Sequence, residues 1–168
     1  MEIIVVLDNI RSTYNVGAIL RTCEGLGIAK VVLAGYTPRV HDKNLLPHLR
    51  EKLDKEIHKT ALGAEEMVKI YSSGDIFSDI LELKKKGYSV VGLENNIEDE
   101  RLFSLGTTEL RKKIGEKIVV ILGEEVKGIK RELFELIDVF AEIPMKGQKE
   151  SFNVSVAAGI ALFELSKD

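Results

Sequence analysis

"IIVVLDNIRSTYNVGAILRTCEGLG", residues 3 to 27, decides how the rest of the chain is read. Ile3 to Leu7 are apolar without interruption, the pattern of a strand covered on both faces. Beyond a polar stretch, apolar residues recur at Val16, Ile19, Leu20, Cys23 and Leu26. That spacing draws one stripe along a helix. Asn15 sits where an N-cap belongs, and Gly27 sits where a helix stops. A buried strand feeding an amphipathic helix is the repeating unit of a parallel α/β sheet.

The far side of that helix is less ordinary. Arg21 lies there among Gly17, Ala18 and Gly25, with Glu24 one turn on. Glycine costs a helix roughly 1 kcal/mol relative to alanine. A face this small makes sense if another molecule must approach the backbone beside Arg21. The plainer alternative is a surface arginine on a weak helix.

The same alternation continues. Strands are expected at 30–35, 67–73, 88–94, 117–123 and 139–145, and helices at 75–87, 129–137 and 153–166. Residues 36–60 read as polar and loop-like, with Pro38 and Pro47 as breakers and a short helix over Leu45–Leu53. The fold expected is α/β, a mostly parallel sheet flanked by helices. The last helix carries Val154, Val156, Ala157, Ala158, Ile160, Ala161, Leu162, Phe163 and Leu165 and has almost no polar face. A helix apolar all round needs cover on every side. Near a chain end a second subunit supplies it most simply, so a homodimer is expected.

With 168 residues the chain is long enough for one domain with a full core. The longest apolar runs, "IIVVL" and "IVVIL", are far short of the roughly 20 residues of a membrane span. The start, "MEIIVVL", has neither the basic region nor the cleavage site of a secretory leader. One cysteine makes no internal disulfide, which fits a cytoplasmic protein. A net charge of −3 excludes a general basic coat but not a local basic patch.

Ligands of such sheets bind beyond the carboxyl ends of the strands. Three loops there stand out: 7–17, 121–130 and 143–157. The second has Gly123 and Gly128, but Ile129 stands where a phosphate loop needs lysine, and Glu124 and Glu125 would repel a polyphosphate. No G-x-G-x-x-G follows the first strand, so a dinucleotide site is not supported either. His41, His48 and His58 are too widely spaced for a compact metal motif, and no metal is expected.

Together the loops identify a family. "NVGAILRT" carries Asn15 and Arg21; "ILGEEVKGI" carries Gly123, Glu125 and Gly128; "IPMKGQKESFNVSVA" carries Ser151 and Asn153. They resemble motifs 1, 2 and 3 of the SpoU (TrmH-type) family of SPOUT-class RNA methyltransferases, in order and over essentially the whole chain. "YTPRV" and "KTALGAEE" resemble the segments between motifs 1 and 2. Phe152 replaces a common leucine and keeps the position apolar.

The resemblance implies a SPOUT-type α/β knot, its C-terminal part threaded as a trefoil. It implies a homodimer through the first and last helices, S-adenosylmethionine as cofactor, and methylation of a ribose 2′-hydroxyl in tRNA or rRNA. Residues 1–168 then form one catalytic domain with no separate RNA-binding domain. A non-catalytic RNA-binding or assembly protein retaining the fold is the alternative. Leu122, Gly123, Ile143, Met145 and Phe152 are expected around the cofactor. Arg21, Asn15, Glu125, Asn153 and Ser151 are the catalytic candidates. Arg11, Arg39, Lys146 and Lys149 are candidate phosphate contacts, since RNA binding needs cations despite the acidic total.

The attacking hydroxyl must lose its proton, so a base is required. Arg21 fills that position by resemblance, yet arginine side chains hold their proton. Either an RNA phosphate held by Arg21 takes part in the transfer, or Arg21 stabilises the forming alkoxide by charge alone. Asn15, Ser151 and Asn153 also suit helix capping, and Glu125 suits a solvated loop.

Overall fold

A computed structural model describes residues 1–28 and 30–167. Seven strands form one sheet: β1 (Glu2–Asp8), β2 (Lys30–Ala34), β3 (Lys69–Ser72), β4 (Ser89–Leu93), β5 (Leu102–Ser104), β6 (Lys117–Leu122) and β7 (Val139–Glu142). Their order is β3-β2-β1-β6-β4-β7-β5, and every pairing is parallel. The expected parallel α/β architecture is therefore observed.

The helices are α1 (Thr13–Gly25), α2 (Pro47–Ala61), α3 (Ala64–Met67), α4 (Ile76–Lys85), α5 (Thr108–Lys113) and α6 (Val154–Leu165). One core layer joins Val5, Leu7, Val16, Ile19, Leu20, Ile57, Ala158 and Leu162. The other joins Ile4, Val6, Ile80, Val119, Ile121, Leu133 and Phe140. Alternate residues of β1 and β6 feed opposite layers, as the two-residue period of a strand requires. Cys23 is fully buried in the first layer, and burial pushes its thiol up to about 12. It is a small core residue.

Several expectations change. Residues 36–60 are not mainly loop, because α2 runs on to Ala61. Pro47 starts that helix rather than breaking one; at the first turn its missing N–H is not needed. Residues 129–137 do not form an α-helix; Arg131–Leu136 is a 3₁₀ helix. Arg101 explains part of that geometry, since it donates to the carbonyls of Phe134 at 3.0 Å and Ile137 at 2.7 Å. Asp99 anchors Arg101 in turn, and that pairing holds the Asp99 carboxyl down at about 2.

The N-cap of α1 is Ser12, not Asn15; its hydroxyl accepts from the Asn15 N–H at 3.3 Å. Gly17 does not leave an open face beside Arg21. A Cβ there would overlap the Thr60 hydroxyl and the Ile57 carbonyl oxygen, so Gly17 is small because α2 crosses α1 at that point. Gly25, by contrast, has open space around it. Of α6, Ala158, Ala161, Leu162 and Leu165 are buried within the chain, while Val156, Ile160 and Phe163 remain exposed. Among the described residues no helix is long and apolar enough to cross a membrane.

Candidate active site

In an all-parallel sheet every strand ends on the same edge, so the loops after β1, β4, β6 and β7 meet there. The loop after β6 folds back on itself: Glu124 N–H donates to the Gly128 carbonyl at 3.0 Å, and Gly128 N–H returns to the Glu124 carbonyl at 2.9 Å. Gly123 is required because a Cβ would strike the backbone of Gly128 and Ile129. Gly128 has φ +69°, and a Cβ there would strike the Glu94 carboxylate. These two contacts account for both glycines of G-x-E-x-x-G.

Between them the loop presents Glu125. Its carboxylate accepts from the backbone N–H of Arg11 at 3.2 Å, from that of Ser12 at 3.4 Å, and from Asn15 Nδ2 at 3.0 Å. Partial burial pushes this carboxyl up, but the hydrogen bonds outweigh it and hold the group below its usual range. Asn15 is available because Ser12 already caps α1. Its Oδ1 accepts from Asn153 Nδ2 at 3.3 Å, while Asn153 Oδ1 caps α6 through Ser155 N–H at 2.9 Å. Asn153 is thus both a cap and a link. One short chain, Glu125–Asn15–Asn153, joins all three loops.

A second tie runs beside it. Arg11 Nη2 reaches Glu124 at 2.9 Å. Below, Asp8 is buried at the end of β1 with Lys130 at 3.5 Å from its Oδ1. Burial raises the Asp8 carboxyl, with Lys130 opposing. Both contacts bind the exit of β1 to the loop after β6.

A cavity of about 370 Å³ opens next to the link. Leu122, Gly123, Ile143 and Phe152 line it. Met145 is not among the lining residues and lies half-buried farther along the loop. Ser151 lines the cavity without a hydrogen-bond partner among the described residues. Sequence reading missed the wall built by the β4 exit: Glu94, Asn95, Asn96 and Ile97. Asn95 ties to Ile143 in both directions, at 2.7 and 3.1 Å. Glu94 accepts from Ile129 N–H, and burial raises its carboxyl. The available signal was position, since β4 ends between β6 and β7.

The lining holds Glu94, Glu124, Glu125 and Glu150 against only Lys127 and Arg131. That donor set favours a ligand carrying positive charge, and the apolar walls Leu93, Ile97, Leu122 and Phe134 suit a flat ring. A sulfonium cofactor with a purine meets both conditions. No group of three or more metal-type side chains occurs among the described residues.

Arg21 is not part of this cluster. It is exposed on α1 and has no ion pair among the described residues. Six residues past Asn15, it stands about 9 Å along the axis and on another face. Lys146 and Lys149 are exposed on the loop that leads to Ser151. Arg39 is half-buried and donates to the carbonyls of Gly35 at 3.2 Å and Ser73 at 3.4 Å, which gives it a structural task.

Known proteins resemble the chain over nearly its whole length. The family described as SpoU rRNA Methylase matches residues 2–163. A 23S rRNA (guanosine-2'-O-)-methyltransferase RlmB from Xylella fastidiosa is 33% identical over 96% of this chain and 57% of its own length. One from Pseudomonas putida is 31% identical over the same shares. The chain thus spans little more than half of these curated relatives. Among solved structures, a putative RNA methyltransferase of the TrmH family from Porphyromonas gingivalis superposes with a TM-score of 0.77 at 25% identity, covering 97% of this chain and 58% of that one. The TrmH/SpoU tRNA modifying enzyme from A. aeolicus gives 0.70 at 25%, covering 98% and 74%.

Proposed function

The chain belongs to the SpoU rRNA methylase family, and we propose that it methylates a ribose 2′-hydroxyl of tRNA or rRNA using S-adenosylmethionine. The observation that carries this reading is the Glu125–Asn15–Asn153 link at the rim of an acid-lined cavity.

Leu122, Gly123, Ile143 and Phe152 would hold the cofactor, with Glu94 and Asn95 shaping the opposite wall. Bound there, it supplies an electrophilic methyl carbon. Asn15 and Asn153, fixed by Glu125, are placed to orient the ribose so that its oxygen faces the cavity. The ribose oxygen held there would be the nucleophile, and its proton would pass to an RNA phosphate oxygen or to water. Arg21 assists that departure by holding an RNA phosphate or by stabilising negative charge on the oxygen. Lys146, Lys149 and Arg11 are the remaining phosphate candidates.

The reading includes a homodimer. Val156, Ile160 and Phe163 are 49%, 38% and 55% exposed along one stripe of α6, beside α1. A second protomer on that face covers the stripe and brings its own loops toward Arg21. Threading of residues 143–153 as the family's trefoil knot and a cytoplasmic location belong to the same reading.

Methyl-labelled S-adenosylmethionine, incubated with unmodified tRNA or rRNA and followed by digestion to nucleosides, tests it. Label in a 2′-O-methyl nucleoside, lost in Arg21→Ala, is the expected result. A protein that binds no cofactor would favour the non-catalytic alternative.

A further inference from the structure

Tyr14 immediately precedes Asn15, and nothing in the chemistry above uses it. An aromatic ring left in water beside a polar site has a cost that burial elsewhere would avoid. Tyr14 is nevertheless 47% exposed. Its backbone is fixed: the Thr60 hydroxyl of α2 donates to the Tyr14 carbonyl at 2.9 Å, and the Gly17 crossing locks the two helices together. Lys59 Nζ lies over one face of the ring, 5.9 Å from its centre. No ion pair engages Lys59 among the described residues. Lys52, Lys55 and Lys59 follow one another at i, i+3 and i+7, so they share a face of α2. Lys55 is paired with Glu51 at 2.6 Å, and Glu56 is engaged by the Thr13 hydroxyl. Lys52 and Lys59 are the lysines of that face without an ion pair among the described residues. On α1, the Tyr14 ring lies toward α2, against Lys59.

A held aromatic ring with a cation on one face and a row of lysines behind it matches what an unpaired nucleotide needs. The base stacks on the open ring face and the phosphates meet the lysines. We infer that Tyr14, backed by Lys59, is the stacking platform for an unpaired base next to the methylated nucleotide, and that the substrate is a single-stranded RNA segment such as a loop. The inference rests on the reading of the site as an RNA methyltransferase and narrows it: paired bases are already stacked and gain nothing from the ring.

Fluorescence anisotropy with a labelled stem–loop RNA and a fully paired duplex of equal length tests it, in parallel with S-adenosylhomocysteine affinity by calorimetry. Tyr14→Ala should weaken stem–loop binding about 5- to 150-fold, the range of one lost base stack. Tyr14→Phe should bind like wild type, and cofactor affinity should be unchanged in both. Lys52→Gln with Lys59→Gln should weaken binding and flatten its salt dependence. The inference is overturned if Tyr14→Ala binds the stem–loop like wild type, or if wild type prefers the duplex. Wild type that binds neither RNA and transfers no methyl group overturns the underlying reading instead.

Discussion

Asn153 Nδ2 donates to Asn15 Oδ1 at 3.3 Å across 138 residues of sequence. Since Asn15 Nδ2 meets Glu125, one amide carries both directions of the link. The arrangement behaves as a unit, so its members should not be separable. Asn15→Ala and Glu125→Ala should each lower methyl transfer, and the double variant should fall no further than the worse single. A double-mutant cycle should return an interaction of roughly 0.5–3 kcal/mol. Simple additivity would break the unit into independent residues.

Gly17 and Gly25 make opposite predictions on one helix. Gly17→Ala forces α1 and α2 apart against backbone and should destabilise by roughly 1–3 kcal/mol. Gly25→Ala meets nothing and should stabilise by up to about 1 kcal/mol. Urea midpoints at constant slope measure both.

Gly123→Ala pushes a Cβ into the backbone of Gly128 and Ile129. The loop must open, and the cavity wall with it. S-adenosylhomocysteine affinity, read by calorimetry, should drop about tenfold or more, equivalent to about 1.4 kcal/mol. Unchanged affinity would place the cofactor elsewhere.

Much of this was legible in the chain and some was not. β1 and β6 read directly as runs of branched apolar residues. α2 did not, because its buried side is little more than Ile57 and Ala61 and the rest is charged. The three loops were recognisable from residues alone, but the pairing of Asn15 with Glu125 was not. A sequence cannot say that Ser12 takes the cap and frees Asn15. The role of Gly17 was hidden likewise, since only the path of α2 reveals it. The wall at Glu94–Ile97 depends on β4 lying beside β6, a long-range fact no local pattern encodes.

His41 bridges two carboxylates, Nδ1 to Asp54 at 3.0 Å and Nε2 to Glu66 at 2.7 Å. Glu66 first and Asp54 next raise its pKa above the ordinary 6.5. A histidine raised on folding contributes stability that is complete below the ordinary value and disappears as pH climbs through the raised one. Thermal midpoints should therefore fall on going from pH 6 to about pH 8, and His41→Ala should flatten that slope. An identical slope in the variant would assign the effect elsewhere.

Ile160→Asp puts a charge on the exposed stripe of α6. Light scattering should give a dimer for wild type and a monomer for the variant, with the fold retained by circular dichroism. A wild-type monomer at micromolar concentration would remove the dimer from the proposed function.

The strand order also has a consequence for synthesis on the ribosome. β2 pairs with β1 on one side and β3 on the other, so residues up to Ser72 complete a three-stranded part of the sheet as they emerge. β4 emerges next but pairs only with β6 and β7, whose residues begin at Lys117 and Val139. Its apolar run must wait beside an open edge while some further turns of chain are translated. Nascent chains arrested in that interval expose an unpaired strand, which makes them the natural clients of a chaperone.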